Sequence, residues 1–497
     1  MPQKRIPTPS QDAGNWGTIL NDHLAQTQNP LNGAFNSFDQ FSARPTNLTA
    51  DDAGKTYLYT QTGNWHEWSG TEWKVQNKSE INVKDYGAIG DGVVDDTANI
   101  QKAVDKASEM FNQVAFPPIG NIYTPAIVLF PTGAYRITDT IIVPTGLTLR
   151  GSAEICYTVS STRIIMDTQG GTENQDKNIF KLTSIFQGAT RSNSVTCSIT
   201  DLEFWITNPG NPNNIFTRDG QGWGTNSDNN NLGLYKGCAI YVSEAVIDTR
   251  IKRCNFYSMP NAAIFFNGTD NRVLGCLIQE CEFDTPIVDI RAKNVNLDLT
   301  VQDCEFFAGS HTLFIENCTG IISLYGNRFV TNPSISVTNS SNLSQFNLVG
   351  NSFDLCVKNN SILVSKSESI NITGNTFGGA GSQNCISLSD CEGGVINSNV
   401  FINSGYNAFI SNPEIDPSVI NLNGCKNVVV IGNSIITPAN ATYGGFGIIT
   451  KDNGTRLSKC LVTSNIVSSK YIGGNYRSQS RPINLSSNDI NQNNLIT

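Results

Sequence analysis

The sequence predicts an all-β protein with the architecture of a parallel β-helix. Seven phenylalanines recur at steps of 27, 23, 23, 24, 24 and 24 residues, and a fixed period of this size is typical of solenoids. They are Phe256, Phe283, Phe306, Phe329, Phe353, Phe377 and Phe401. The residues two positions before them are equally regular, namely Cys254, Cys281, Cys304, Asn327, Asn351, Asn375 and Asn399. A side chain that recurs once per coil stacks on its counterpart, and segments such as 347–349 and 371–373 have the pattern of short strands.

Length and charge agree with a rod that has no nucleic-acid or membrane partner. A chain of 497 residues exceeds what one ordinary core supports, whereas in a solenoid each coil packs only on its neighbours. A net charge of −9 and a pI near 5.0 argue against nucleic acid and anionic membranes. After residues 1–5 the sequence is polar, with no apolar run of signal-peptide length, and no stretch has the length of a membrane span. We expect a protein made in the cytosol that reaches the outside on a particle released by lysis or ejection.

The cysteines and histidines predict no metal site and no cofactor. Thirteen cysteines in a chain without a signal peptide are expected to be reduced, and those in the stacking register should fill the core. No CxxC pair is present, and three histidines do not suggest a zinc site. No loop has a recognised calcium spacing, but a bound calcium ion stays open.

The N-terminal part of the chain differs from the periodic region. Residues 1–45 are polar and are predicted to attach the protein to a particle. Residues 46–80 are predicted to form a small Trp-rich β-hairpin domain with its turn at Ser69-Gly70. The tryptophans of this hairpin serve as its core or, alternatively, bind sugar.

A helix near residues 96–108 is predicted where apolar residues recur on one face. Asp96 or Thr97 would cap its N-terminus. Asp91, Asp95 and Asp96 lie close together in a Gly-rich loop, and we expect them to stabilise the loop and the helix rather than to act as catalysts.

Two segments resemble a known family. The run VKDYGAIGDGVVDDTANIQKAV and the run LFPTGAYRI…VPTGLTLRG, within residues 81–151, resemble the opening of the pectate-lyase-like β-helix superfamily, which includes phage tailspike depolymerases. The resemblance implies a right-handed β-helix, a helix that caps its N-terminal end and often a homotrimer. The family holds lyases, hydrolases, epimerases and inactive members. The segment GNWGTILNDHL is similar to the starts of tail-fibre and injection-particle proteins, which implies a tail or baseplate partner for residues 1–80.

The β-helix is predicted to span residues 81–475, followed by a polar C-terminal tail at 476–497. A polar excursion between Thr207 and Gly237 interrupts the early coils. Long loops on rigid scaffolds are often functional, so Trp223 and Tyr235 are candidate substrate-binding residues. The column of asparagines is expected to be structural, since stacked amides hydrogen-bond each other.

Four carboxylates are confined to two adjacent coils on the outward face. They are Glu280, Glu282, Asp303 and Glu305, with Arg253 and Arg328 on either side. Neighbouring strands lie about 4.8 Å apart, so like charges become neighbours, and one carboxyl of each pair should have a raised pKa. A protonated and an ionised carboxyl side by side are what a glycosidase requires, with Glu282 and Glu305 as the leading pair. The alternative is a solvated charged surface.

The next strand adds Asp289 and Arg291 as outward, candidate substrate-binding residues. So many acids would repel a uronate, which favours hydrolysis over β-elimination. The sequence therefore predicts a virion-tail or injection-particle spike that binds cell-surface polysaccharide and hydrolyses it. Two alternatives stay open, namely a non-catalytic adhesin of the same shape and a lyase or epimerase.

Overall fold

A computed structural model describes most of the β-helix and the small sheet that precedes it. The described residues are 37–75, 80–110, 112–116, 120–124, 126–152, 162–167, 177–184, 196–206, 237–243, 246–257, 259, 261–285, 288–308, 311–330, 334–340, 342–354, 360–378, 384–402, 418–436, 446–452, 459–467, 483–487 and 489–496. Nearly all of the predicted attachment segment, and the candidates Trp223 and Tyr235, lie outside these ranges. Within the ranges, no helix has the length and hydropathy of a membrane-spanning segment.

A four-stranded sheet stands before the β-helix. Its strands are Ser37–Phe38, Thr56–Tyr59, Asn64–Trp68 and Trp73–Val75, with short 3-10 helices at Phe41–Ala43 and Ala50–Asp52. The last two strands form the predicted hairpin, which Ser69 closes by donating its amide to the carbonyl of Glu72. Thr62, Asn64 and the buried His66 all hydrogen-bond the buried carboxylate of Asp85, which belongs to the following 3-10 helix Val83–Tyr86.

An α-helix at Thr97–Glu109 lies where the sequence predicted one, with Ile100, Ala103, Val104 and Ala107 buried. Asp96 occupies the N-cap position, but its side chain accepts hydrogen bonds from the amides of Ile89 and Gly90 instead of capping the helix. Asp95 accepts the amide of Thr97 in its place. The carboxylates of this loop are thus engaged in holding the backbone. A separate antiparallel pair, Asn112–Phe116 with Gly120–Thr124, follows the helix.

One long side of the rod is a sheet of short parallel strands, called here the narrow sheet. Within the described residues it has 14 strands. They are Asp91–Asp95, Gly133–Ile137, Thr162–Met166, Glu203–Ile206, Asn255–Tyr257, Glu282–Asp284, Glu305–Ala308, Arg328–Phe329, Ser352–Phe353, Thr376–Phe377, Val400–Ile402, Ser434–Ile436, Ile466–Val467 and Leu495–Ile496.

The remaining sides form a second parallel sheet, called here the wide sheet, with 25 strands among the described residues. Two long strands run around a corner of the rod: Ala262–Gln279 pairs with three strands of the preceding coil, and Val288–Gln302 pairs with two strands of the following coil. The others are Glu80–Asn82, Ala126–Phe130, Ile141–Pro144, Leu147–Gly151, Phe180–Thr183, Ser198–Thr200, Cys238–Val242, Val246–Ile247, Arg250–Lys252, His311–Glu316, Thr319–Tyr325, Ile335–Thr338, Asn342–Val349, Asn360–Ser365, Glu368–Thr373, Asn384–Ser389, Glu392–Asn397, Ser418–Asn423, Lys426–Ile431, Phe446–Lys451, Lys459–Thr463, Ile483–Asn484 and Ile490–Gln492.

The phenylalanines form one continuous stack inside the rod. From Phe204 to Phe401 successive ring centroids are 4.5 to 5.1 Å apart and the rings are nearly parallel. An aromatic pair of this kind contributes about 0.5–1.5 kcal/mol beyond the area that it buries. The predicted fold, a parallel β-helix, is therefore confirmed.

A buried ladder of asparagines runs beside the phenylalanines, as predicted. Asn351 shows the pattern: its amide Nδ2 donates to the carbonyl of Leu324 and to Oδ1 of Asn375, while its Oδ1 accepts from the backbone and side chain of Asn327. The ladder continues through Asn399, Asn433, Asn465 and Asn494.

The final residues differ from the tail expected at 476–497. Strands Ile483–Asn484, Ile490–Gln492 and Leu495–Ile496 pair with the coil before them. Asn494 extends the asparagine ladder, so this polar sequence forms a further coil whose inward positions the sequence period did not reveal.

Candidate functional site

The outward face of the narrow sheet carries a line of charged and polar side chains. The in-register residues of this line are Arg163, Glu203, Asn255, Glu282, Glu305 and Arg328. Because parallel strands lie about 4.8 Å apart, the side chains of Glu282 and Glu305 are direct neighbours. Beyond Arg328 the same line continues with Ser352, Thr376 and Val400, and it is uncharged.

The four predicted carboxylates line one groove of about 300 Å³, called here the acidic groove. Its lining residues are Arg253, Asn255, Glu280, Cys281, Glu282, Asp303 and Glu305. Glu280 and Asp303 are exposed, whereas the side chain of Glu305 is only 14% exposed. The structure thus brings together the residues chosen as catalytic candidates and Arg253. Their chemical roles stay a prediction.

The corner that leads into the narrow sheet is strained in these coils. Asp201, Arg253, Glu280 and Asp303 have φ values of 60°, 48°, 55° and 54°. The left-handed conformation costs an ordinary L-residue about 1–2 kcal/mol. Three later coils have glycine at the same corner, namely Gly326, Gly350 and Gly374. The coils of the acidic groove therefore keep charged side chains where glycine would cost less.

Arginines compensate the negative charge of the carboxylates at both ends of the groove. Arg253 donates two hydrogen bonds to Asp201, at 2.7 and 3.0 Å, and its Nη1 lies 4.0 Å from Glu280. Arg328 donates to Glu305 at 2.7 Å and to Asp354 at 3.2 Å. Asp201 was not among the predicted residues, although its position three before Phe204 matches that of Arg253 before Phe256.

An aromatic pair borders the groove. Trp205 and Tyr257 follow Phe204 and Phe256 directly, and their rings stack at 5.0 Å. The hydroxyl of Tyr257 donates to Oε1 of Glu282 at 3.2 Å. The sequence did not lead us to predict Trp205. Its position directly after a stacked phenylalanine, which is also the position of Tyr257, could have identified it.

Asp289 and Arg291 do not line the acidic groove, and the expectation that Asp289 faces outward to solvent is wrong. Asp289 is buried and accepts a hydrogen bond from Thr285 at 2.6 Å. Burial raises the pKa of Asp289 well above its usual range. The chain turns a corner after Asp284, so both residues belong to the wide sheet. There Arg291 donates to Asn261 and lies 4.8 Å from the ring of Phe265.

The cysteines of the described ranges are free and buried. Burial raises the pKa of the Cys197 and Cys238 thiols to about 12, so these thiols are poor nucleophiles and poor metal ligands. Across the same ranges, no group of three or more His, Cys, Asp or Glu side chains is arranged to hold a metal ion.

Two curated proteins share short segments with this chain. A non-secreted LysM effector of Penicillium expansum is 44% identical over 61 residues, or 12% of this chain and 4% of that protein. A mannuronan C5-epimerase of Azotobacter vinelandii is 35% identical over 96 residues, or 19% of this chain and 6% of that protein. The chain thus matches only a small fraction of the length of either relative.

Among solved structures, tailspike protein 3 of bacteriophage CBA120 is similar at a TM-score of 0.48 and 13% identity, over 85% of this chain and 63% of that one. The family model for rhamnogalacturonase A/epimerase, pectate-lyase-like proteins matches residues 80–409. This match covers about two thirds of the chain and includes the whole acidic groove. The chain therefore belongs to the pectate-lyase-like rhamnogalacturonase A/epimerase family of right-handed β-helix proteins.

Proposed function

We propose that this protein binds a polysaccharide along the acidic groove and hydrolyses it with Glu282 and Glu305. The observation that carries the proposal is the in-register pair of glutamates on adjacent strands inside one groove. A strand spacing of about 4.8 Å is close to the roughly 5–5.5 Å that separates the carboxyl groups of retaining glycosidases. We therefore expect retention at the anomeric carbon.

The partners of the two glutamates suggest their roles. Glu305 forms an ion pair with Arg328 and is assigned as the nucleophile, whereas Glu282 accepts from the neutral phenol of Tyr257 and is assigned as the acid. Glu305 attacks the anomeric carbon while Glu282 protonates the departing glycosidic oxygen, which breaks the glycosidic bond. Glu282 then takes a proton from water, whose oxygen displaces Glu305 and regenerates both groups.

The ion pairs of the arginines with protein carboxylates favour hydrolysis over lyase or epimerase chemistry. Those reactions begin at a uronate, whose carboxylate must be neutralised before the adjacent proton is removed. Arg253 is bound to Asp201, and Arg328 is bound to Glu305 and Asp354. Four carboxylates line the same groove, so its charge opposes an anionic sugar.

We also propose that the protein is a homotrimeric spike of a phage tail or contractile injection particle. Residues 1–80 would attach it to a tail or baseplate protein, and its ligand would be a cell-surface polysaccharide. The support is the similarity of the N-terminal segment to tail-associated proteins and the membership of the β-helix in a family of polysaccharide-modifying enzymes.

A second candidate is a non-catalytic adhesin of the same shape. The ion pairs favour it, because Arg253 and Arg328 relieve the repulsion that a charged surface would otherwise have. The discriminating experiment uses panels of purified capsule and lipopolysaccharide, with glycan binding and reducing-end release measured together. Release by the wild type that is lost in Glu282→Gln/Glu305→Gln supports the hydrolase. Binding without release by the wild type supports the adhesin.

A further inference from the structure

We infer that Tyr257 is a positioning residue for Glu282, fixing which carboxyl oxygen delivers the proton. The inference rests on the proposed function, because it assigns a role within the same hydrolytic site. Tyr257 lies on the strand Asn255–Tyr257, one coil before Glu282. Its hydroxyl reaches across the gap between coils and donates to Oε1 of Glu282 at 3.2 Å.

The phenol is suited to act as a permanent donor. Burial, and after it the charge of Glu282, raises the pKa of Tyr257 far above its ordinary value. The hydroxyl therefore stays protonated at every pH at which the enzyme would work. Since Oε1 of Glu282 accepts from this hydroxyl, the proton that Glu282 gives to the leaving group is carried by Oε2.

The ring of Tyr257 is held in place from the preceding coils. It stacks on Trp205 at 5.0 Å with an interplanar angle of 27°. The indole Nε1 of Trp205 donates to the buried carboxylate of Glu203, which also accepts from Arg163. The guanidinium of Arg163 lies 5.3 Å from the Trp205 ring. Three side chains on two preceding strands thus hold the ring, and with it the hydroxyl, at a fixed place, and this order is what general-acid catalysis requires.

The direction of the effect on pH dependence follows from the hydrogen bond. A donor to a carboxylate stabilises its ionised form, so removal of the donor keeps Glu282 protonated to higher pH. Tyr257→Phe keeps the ring and its stacking on Trp205 but removes the donor. We expect kcat to fall by about ten- to hundredfold, the size of one hydrogen bond to a charged group, with KM changed by less than about twofold. The alkaline limb of the pH–rate profile should move to higher pH.

The matched control is Tyr241→Phe, measured with the same glycan. Tyr241 lies on the wide sheet, where its hydroxyl accepts from Asn267 at 3.1 Å and its ring packs against Phe265. This variant loses a comparable hydroxyl outside the groove and should retain kcat and the pH profile of the wild type. Thermal unfolding of both variants shows that the β-helix is intact.

Three outcomes would overturn the inference. If Glu282→Gln and Glu305→Gln abolish turnover while Tyr257→Phe keeps the kcat and pH profile of the wild type, only the role of Tyr257 fails. If Tyr257→Phe and Tyr241→Phe lower kcat equally without moving the pH profile, Tyr257 has a structural role alone. If the wild type releases no sugar from any glycan that it binds, the proposed function fails and this inference fails with it.

Discussion

The coils from Asp201 to Glu305 and the coils from Asn327 to Asn465 share one backbone pattern but differ in most of their corner and outward side chains. The first group, the acidic coils, has cysteines at the inward corner and charged left-handed residues such as Glu280 before them. The second group, the ladder coils, has buried asparagines there, mostly with glycine at the left-handed corner. Beyond Arg328, the outward line of this group is uncharged.

The difference distinguishes coils whose side chains favour stability, the ladder coils, from coils whose side chains oppose it, the acidic coils. The ladder coils satisfy their buried amides, and most of them have glycine at the corner before the asparagine, where a positive φ is needed, so most local choices there agree with the fold. The acidic coils keep like charges on neighbouring strands and non-glycine residues in a strained conformation. Local conflicts with the fold are expected at functional sites. Substitutions in the two groups should therefore separate activity from stability.

The largest expected effect is the loss of turnover from single changes in the acidic coils. Glu282→Gln and Glu305→Gln remove an acid and a nucleophile, and each should lower kcat by about 10³-fold or more with little change in the unfolding temperature. Glu316→Gln is the control, since Glu316 is paired with Lys293 at 3.0 Å on the wide sheet. Initial rates of reducing-end release measure the effect, and a fully active Glu305→Gln variant would exclude the proposed pair.

The opposite result is expected in the ladder coils. Asn375 is fully buried, donates to Leu348 and Asn399, and accepts from Asn351. Asn375→Ala leaves several of these groups unpaired and should lower the free energy of unfolding by about 3 kcal/mol or more. Denaturant unfolding measures this loss of stability.

The control for the ladder is Asn371→Ala, because Asn371 is only partly buried on the outward face of the same coil. The folded fraction of Asn375→Ala should retain the kcat of the wild type. If Asn375→Ala were as stable as Asn371→Ala, this would contradict the structural role of the stacked amides.

The regular part of this molecule could be predicted from the sequence, and the irregular part could not. The period placed Phe256 to Phe401 and the asparagines inward, and this placed Glu282 beside Glu305. Trp205 and Asp201 were missed because 52 residues, about two periods, separate their coil from the next, although both hold the same positions relative to Phe204 that Tyr257 and Arg253 hold relative to Phe256. The burial of Asp289 depends on a corner between sheets, and a strict alternation of inward and outward residues does not describe a corner.

The acidic coils also contain a carboxyl whose contribution to stability depends on pH. Burial raises the pKa of Asp289, the hydrogen bond from Thr285 opposes this, and the charge of Asp284 adds to it. Between the unfolded pKa of about 3.9 and the higher folded pKa, the native state binds more protons than the unfolded state, so stability falls as pH rises. Asp289→Asn keeps an acceptor for Thr285 and removes the ionisable group, so its free energy of unfolding at neutral pH should exceed that of the wild type. Unfolding curves recorded from pH 4 to 8 test this. If the free energy of unfolding of the variant changed with pH as steeply as that of the wild type, the result would contradict the prediction.

The smallest expected effect is a gain in stability from relieving the strained corner. Glu280 has a φ of 55°, and its side chain is 49% exposed. Glu280→Gly removes the steric cost of the left-handed conformation and one like charge, against the greater entropy of glycine in the unfolded chain. The free energy of unfolding should rise by about 0.5–1 kcal/mol in net.

Lys366→Gly changes a residue with a φ of 54° in the ladder coils, and its free energy of unfolding should rise by a similar amount. Only Glu280→Gly should also weaken glycan binding or turnover, because only Glu280 lines the groove. If both variants gained stability and both kept full activity, Glu280 would belong to the charged surface and not to the site.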